Sequence, residues 1–161
     1  MNLKKIKDYA NYSLDLDNNM VYSHYSNKYL KPFLHKDGYI RIRLCKNGKE
    51  KKFLLHRLVY EAYNGEIPEN LCIDHINNDR QNNNIKNLRL ATYSENSHNQ
   101  KIKKNQIGYK NITLTKNNTY CVRIRNNYKF VYRKNFKTLE EAIINRDIQL
   151  KLIHKDFANY G

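Results

Sequence analysis

Apolar and polar positions alternate most clearly between Gly38 and Leu55. Tyr39 to Cys45 (YIRIRLC) sets apolar residues against arginines, Lys46 to Lys49 (KNGK) supplies turn chemistry, and Glu50 to Leu55 returns, which predicts a β-hairpin with an arginine-bearing face. The period then changes. His56 to Asn64 (HRLVYEAYN) spaces Leu58, Val59, Ala62 and Tyr63 as one face of a short helix, closed by Gly65 and Pro68. A second hairpin follows, Leu71 to His75 and Leu88 to Thr92, around a polar loop, INNDRQNNNIKN, that is long for such a connection. Thr92 and Ser94 can cap the next helix, with Glu95 in its first turn. Upstream, residues 8–35 are polar with short apolar pieces, and Met20 to Ser23 gives only a weak strand signal. Downstream, three short strand candidates, Asn111 to Thr115, Tyr120 to Arg125 and Lys129 to Arg133, precede a T-x-x-E capping box, Thr138 to Glu141, that opens a helix to about Ile153. The fold class expected is α+β: a strand, long loop, strand and helix preceded by a β-hairpin and followed by a small three-stranded antiparallel sheet plus one helix.

Charge changes this picture by pointing to a partner. The 161 residues carry 30 Lys and Arg against 15 Asp and Glu, a formal charge of +15 that attracts polyanions. The surplus is uneven, with +5 on residues 1–100 and +10 on residues 101–161. No run of 18 apolar residues, signal-like N-terminus or dominant basic amphipathic helix occurs, so membrane association is not expected. The three cysteines, Cys45, Cys72 and Cys121, are scattered and odd in number, which predicts an intracellular protein without disulfides or a Cys-based zinc site, the thiols serving as small buried residues on strands. Asn, Lys, Ile and Tyr are abundant while Gly and Pro are few, as an AT-rich genome would produce.

The chemistry-bearing residues lie around the second hairpin. Asp74 and His75 end an apolar strand, and Asn96 falls in the first turn of the next helix. Hydrolysis of a phosphodiester needs an activated water, a cation on the phosphate and stabilisation of the leaving oxygen. His75 suits a general base, because imidazole titrates near neutrality. Asp74 offers a carboxylate and Asn96 a carbonyl oxygen, the hard ligands that magnesium takes, with phosphate and water completing the shell.

The blocks HRLVYEAYNGEIPEN, CIDHINNDRQNNNIKNLRLAT and SENSHNQ, from His56 to Asn99, resemble the HNH endonucleases, especially the homing endonucleases of phages and large DNA viruses. The resemblance implies a ββα-metal fold in which His75 activates water, Asp74 and Asn96 hold one divalent metal, Mg2+ or alternatively Mn2+, and Asn87, supported by Asn83, ties the long loop together. His98, two residues beyond Asn96, is an alternative ligand. The segment GYIRIRLCKNGKEKKFLLHRLVYEAY resembles the hairpin preceding such cores, and residues 108–161, with GYKNITL, YCVRIR and FKTLEEAIINRD, resemble the APETALA-type (ethylene-response-factor) DNA-binding domain, although Tyr120 stands where Trp is common. The expected organisation is therefore a β-rich DNA-binding arm over residues 1–55, the nuclease core over 56–100, a basic linker over 101–107 and the APETALA-like module over 108–161. The function expected is metal-dependent cutting or nicking of double-stranded DNA by a monomer that needs no small-molecule cofactor. The host cytoplasm or nucleoid is the expected location.

Other readings of the same residues stand beside these. A non-catalytic, sequence-specific DNA-binding regulator could keep the nuclease fold as scaffold, and RNA could be bound through the tyrosines, though these form no clear stacking motif. Arg123 and Arg125 on one strand face, with Lys110, Lys116, Lys129 and Arg133 nearby and Arg41 and Arg43 repeating the pattern in the first hairpin, read either as solvated charge or as contacts to duplex DNA. His56 reads equally as a structural hydrogen-bonding residue or a phosphate contact, and the Asn-rich run as an ordered loop or low-complexity drift.

Overall fold

The computed structural model describes residues 1–100, 105 and 107–161, so most of the expected 101–107 linker lies outside the described residues. The chain divides into two compact units, Met1–Leu90 and Ala91–Gly161. Both are mixed α+β structures built on small antiparallel sheets.

The first unit opens with a four-stranded meander, β1 (Leu3–Ile6), β2 (Tyr9–Asp15), β3 (Met20–Ser23) and β4 (Lys28–Tyr29). The weak signal over residues 8–35 underestimates it, because its inner residues do not alternate simply between apolar and polar. Ser13, Leu14 and Asp15 are all buried. Ser13 Oγ meets His24 Nε2 at 2.8 Å, and the Asp15 carboxylate accepts from the Tyr29 hydroxyl, from Asn18 Nδ2 at 3.1 Å and from the Asp17 backbone N–H at 3.0 Å. The Tyr29 hydroxyl in particular holds the Asp15 carboxyl below its ordinary pKa.

A three-stranded sheet follows, β5 (Phe33–Leu34), β6 (Ile40–Lys46) and β7 (Lys49–Leu54). Asn47 and Gly48 both take positive φ, 52° and 73°, the geometry of a two-residue hairpin turn. Ile42 and Leu44 point inward, leaving Arg41, Arg43 and Cys45 on the opposite phase. Cys45 is accordingly exposed, Cys72 half-buried and Cys121 buried, so only the last fits the expectation of a buried thiol.

Helix α1 (Leu55–Asn64) buries Leu55, His56, Leu58 and Val59 and stops at Gly65, whose N–H returns to Glu61 O at 3.0 Å. Strands β8 (Cys72–His75) and β9 (Leu88–Ala91) then pair across the long loop. Leu14 and Val21 of the meander, Ile42 and Leu44 of the hairpin, Leu58 and Val59 of α1, Ile73 of β8 and Leu88 of β9 share one core.

The second unit begins with α2 (Tyr93–Asn99), entered through a capping box in which the Thr92 side chain accepts from Glu95 N and the Glu95 carboxylate accepts from Thr92 N. Strands β10 (Ile112–Leu114), β11 (Tyr120–Asn126) and β12 (Lys129–Phe136) form a meander covered by α3 (Leu139–His154), itself entered through a Thr138–Glu141 capping box. Ile112, Val122 and Ile124 pack there against Ala142 and Leu150.

Asparagine carries many of the turns. Asn19, Asn27, Asn47, Asn78, Asn111, Asn118 and Asn127 all have positive φ, a conformation that its short polar side chain tolerates better than other non-glycine residues do. Among the described residues, no helix is long and apolar enough to cross a membrane.

Candidate active site

The long loop is ordered by its own amides. Asn77 Oδ1 accepts from Asp79 N, Asp79 Oδ1 from Gln81 N, Asn82 Oδ1 from Asn84 N and Asn84 Oδ1 from Lys86 N, at 2.8 to 3.2 Å, a relay of side chains bonded to backbone two residues on. Asn87 closes it, donating Nδ2 to Asn82 O at 2.8 Å and accepting at Oδ1 from Asn77 N at 3.1 Å, while its backbone carbonyl accepts from Ile76 N at 2.9 Å. A low-complexity segment would show no such accounting of donors and acceptors. The loop returns the chain tightly against the end of β8, where Asp74 and His75 sit.

Both residues are buried, at 4% and 5% exposure, so each requires polar partners. Asp74 Oδ2 accepts from Arg89 Nε on β9 at 2.8 Å. His75 Nε2 lies 3.2 Å from Asn83 Oδ1. An amide oxygen can only accept, so the ring donates to it from Nε2. Asn83 thus contacts the His75 ring directly, a closer association than the loop support read from sequence.

The His56 ring packs edge-to-face on His75, with centroids 5.0 Å apart and planes at 82°, and Tyr39 lies 5.2 Å from His56 and 6.0 Å from His75. His56 is buried and its Nδ1 has no hydrogen-bond partner. Burial, reinforced by His75 and Arg57, pushes its pKa from 6.5 down to about 3. Because the folded-state value lies below the unfolded one, the unfolded chain takes the proton first. The contribution of His56 to stability is complete above about pH 6.5 and is lost as pH falls toward 3. Unfolding followed against pH should show a shallower acid-side slope for His56→Phe than for the parent; parallel curves would contradict the assignment.

Asn96 lies half-buried on α2, in the second unit. The alternative ligand His98 is engaged elsewhere: its ring stacks on His154, centroids 3.7 Å apart and planes 4° from parallel, and burial, then His154 and Lys110, lower its pKa to about 4. Among the described residues no group of three His, Cys, Asp or Glu side chains could enclose a metal. The Asp74 carboxylate is by itself a hard oxygen donor of the kind a magnesium-type ion accepts when it takes its remaining ligands from phosphate and water.

The basic residues separate into distinct environments. Arg123 and Arg133 oppose each other on β11 and β12, Arg125 opposes Phe130 beyond a bulge, and these arginines share the sheet face turned from α3. Arg123 donates to Thr113 Oγ1 at 2.9 Å, and Arg125 stacks over Phe130 at 4.2 Å. Lys129, opposite Asn126, falls on the other phase, and Lys116 is exposed in the β10–β11 turn. In the first unit Arg43 is exposed over Phe33 at 4.8 Å and 3.5 Å from the Glu50 carboxylate, and Arg41 is half-buried and ion-paired with Asp37. Lys110 departs from the expectation of an outward basic residue. Its Nζ donates to the carbonyls of His98 and Gln100, and burial with Arg146 nearby lowers its pKa to about 8, so its charge is spent at the end of α2.

Sequence reasoning missed Arg89, Tyr39 and the Asn83 contact. Arg89 was discoverable: a basic residue on the partner strand of a hairpin is the natural counter-charge for a carboxylate buried on the first. Nothing local marks Tyr39, which reaches the site from another hairpin.

The HNH endonuclease family matches residues 53–98, which span α1, β8, the loop, β9 and nearly all of α2. DNA endonuclease I-HmuI of Bacillus phage SP01 is 41% identical over 100 residues, 62% of this chain and 58% of that protein. An uncharacterized HNH endonuclease of Acanthamoeba polyphaga mimivirus is 43% identical over 77 residues, 47% of this chain and 23% of the relative. The solved structure describing DNA binding and cleavage by the HNH homing endonuclease I-HmuI superposes with a TM-score of 0.57 over 62% of this chain and 57% of that one. The chain therefore spans little more than half the length of I-HmuI and about a quarter of the viral relative.

Proposed function

We propose that this chain is a metal-dependent endonuclease of the homing or mobile-element type that hydrolyses phosphodiester bonds in double-stranded DNA, with His75 as general base. The observation that carries the reading is the buried Asp74–His75 pair ending β8, with Asn83 fixing the ring, inside the segment that matches the HNH endonucleases. His75 Nδ1 accepts a proton from water as the water oxygen bonds to phosphorus and the bond to the leaving oxygen breaks. Asn83 holds the imidazole so that this nitrogen, and not Nε2, meets the water. A divalent cation, Mg2+ with Mn2+ as the alternative, would be held by Asp74 with Asn96 as the second ligand proposed from the sequence, and would supply charge neutralisation to the phosphate and leaving oxygen. Arg89 orients the Asp74 carboxylate.

Arg43, Lys116, Arg123, Arg125, Lys129 and Arg133, with Arg41 in a supporting ion pair, provide the basic surface for the DNA backbone. The three-stranded sheet and helix of residues 108–161, with three arginines on one sheet face, favour a DNA-binding module there, although the comparisons with known proteins do not support its assignment to the APETALA type, and the β-rich residues 1–55 favour a DNA-binding arm. A monomer with one such centre nicks one strand per encounter.

A supercoiled plasmid pool of randomised sequence, incubated with Mg2+ or Mn2+ and with chelator, tests the reading. Open circles that form only with metal are expected. Tight binding without scission under either metal would instead make the nuclease fold the scaffold of a DNA-binding regulator.

A further inference from the structure

We infer that Arg80, in the loop between β8 and β9, is a phosphate-binding residue that fixes the DNA strand beside the reacting bond. The inference rests on the nuclease reading of Asp74 and His75 for its location, and on Arg80's own surroundings for its chemistry. Gly38, at φ 84°, turns the chain so that both the Asp37 carbonyl and the Tyr39 ring face Arg80, whose Cδ lies 3.6 Å from where a Gly38 Cβ would stand. Arg80 Nη1 donates to Asp37 O at 2.8 Å, and the guanidinium carbon sits 4.9 Å from the Tyr39 ring centre.

This side chain is exposed yet held on two sides. A neutral carbonyl and an aromatic face orient the guanidinium without neutralising it, and among the described residues no carboxylate pairs with it. Its remaining N–H groups keep the planar fork that suits phosphate oxygens. Tyr39 itself packs 6.0 Å from the His75 ring, so the fixed charge lies one aromatic ring away from the proposed base. Arginines on the hairpin and on β11 are farther along the chain from this centre, whereas Arg80 belongs to the same ordered loop as Asn83 and Asn87.

The test uses the full chain carrying His75→Ala, so that DNA stays intact, and a labelled mixed-sequence duplex whose binding is followed by fluorescence anisotropy over a KCl series. Arg80→Gln keeps a donor for Asp37 O and a planar group over Tyr39 but removes the charge. It should weaken binding about tenfold at low salt and reduce the slope of log affinity against log salt by about one. Arg80→Lys should retain the slope of the Arg80 protein. A purely structural Arg80 would shift the melting temperature of Arg80→Gln and leave the slope alone, and an unchanged slope overturns the inference. Metal-dependent nicking by the His75 parent reports separately on the nuclease reading, so the two can fail independently.

Discussion

Single-turnover nicking by His75→Ala should be slower than that of the parent by roughly 10²- to 10⁴-fold, the range that a positioned general base contributes, with duplex affinity almost unchanged. The split follows from where the ring is. His75 is 5% exposed, its Nε2 lies against Asn83 and its flanks against His56 and Tyr39, so the ring offers little contact area to DNA. On the proposed role, losing it removes the general base and leaves the basic surfaces intact. Asn83→Leu should reproduce part of the loss by freeing the ring to turn, again without weakening binding. Cleavage by His75→Ala within threefold of the parent would remove His75 from the mechanism.

The second large effect is on stability. In Arg89→Met the Asp74 carboxylate, 4% exposed, loses the guanidinium held 2.8 Å from its oxygen. Breaking a buried pair from one side costs about 3–5 kcal/mol, which at about 2–4 °C per kcal/mol for a chain of this size lowers the melting temperature by roughly ten degrees. Adding Asp74→Asn should restore much of that loss, because the buried negative charge disappears with it, and the pair should show strong coupling in a double-mutant cycle. A melting temperature of Arg89→Met equal to the parent's would show that the pair contributes nothing to the fold.

The parts of the molecule that could be read from sequence are those whose signal is local. The β6–β7 hairpin announces itself through YIRIRLC and the Asn47–Gly48 turn, and α2 and α3 through Thr92 with Glu95 and Thr138 with Glu141. Asp74 and His75 stand together because they are neighbours in the chain. The N-terminal meander was obscured because its centre is polar: Ser13 and Asp15 are buried through bonds to His24 and Tyr29, 11 and 14 residues away, and hydrophobic alternation is blind to such pairs. The same holds for Lys110, which looks like any surface lysine until the carbonyls of α2 are seen to surround it. Polar burial depends on partners distant in sequence, and a pattern of residue types does not name them.

The asparagines at positive φ have a thermodynamic consequence. Where glycine closes a turn, the unfolded chain keeps its widest choice of backbone conformations and folding must remove all of it. An asparagine in the same turn begins from a narrower unfolded ensemble, an advantage of about 0.4–1 kcal/mol per site by analogy with Gly→Ala substitutions at compatible positions, partly offset by the cost of placing a Cβ in the left-handed region. Repeated at seven turns, this lets a chain with five glycines close its hairpins without the entropic penalty of a glycine-rich one. A coding bias toward asparagine, which looks like neutral drift in composition, then acts on folding through the state in which none of these turns exists.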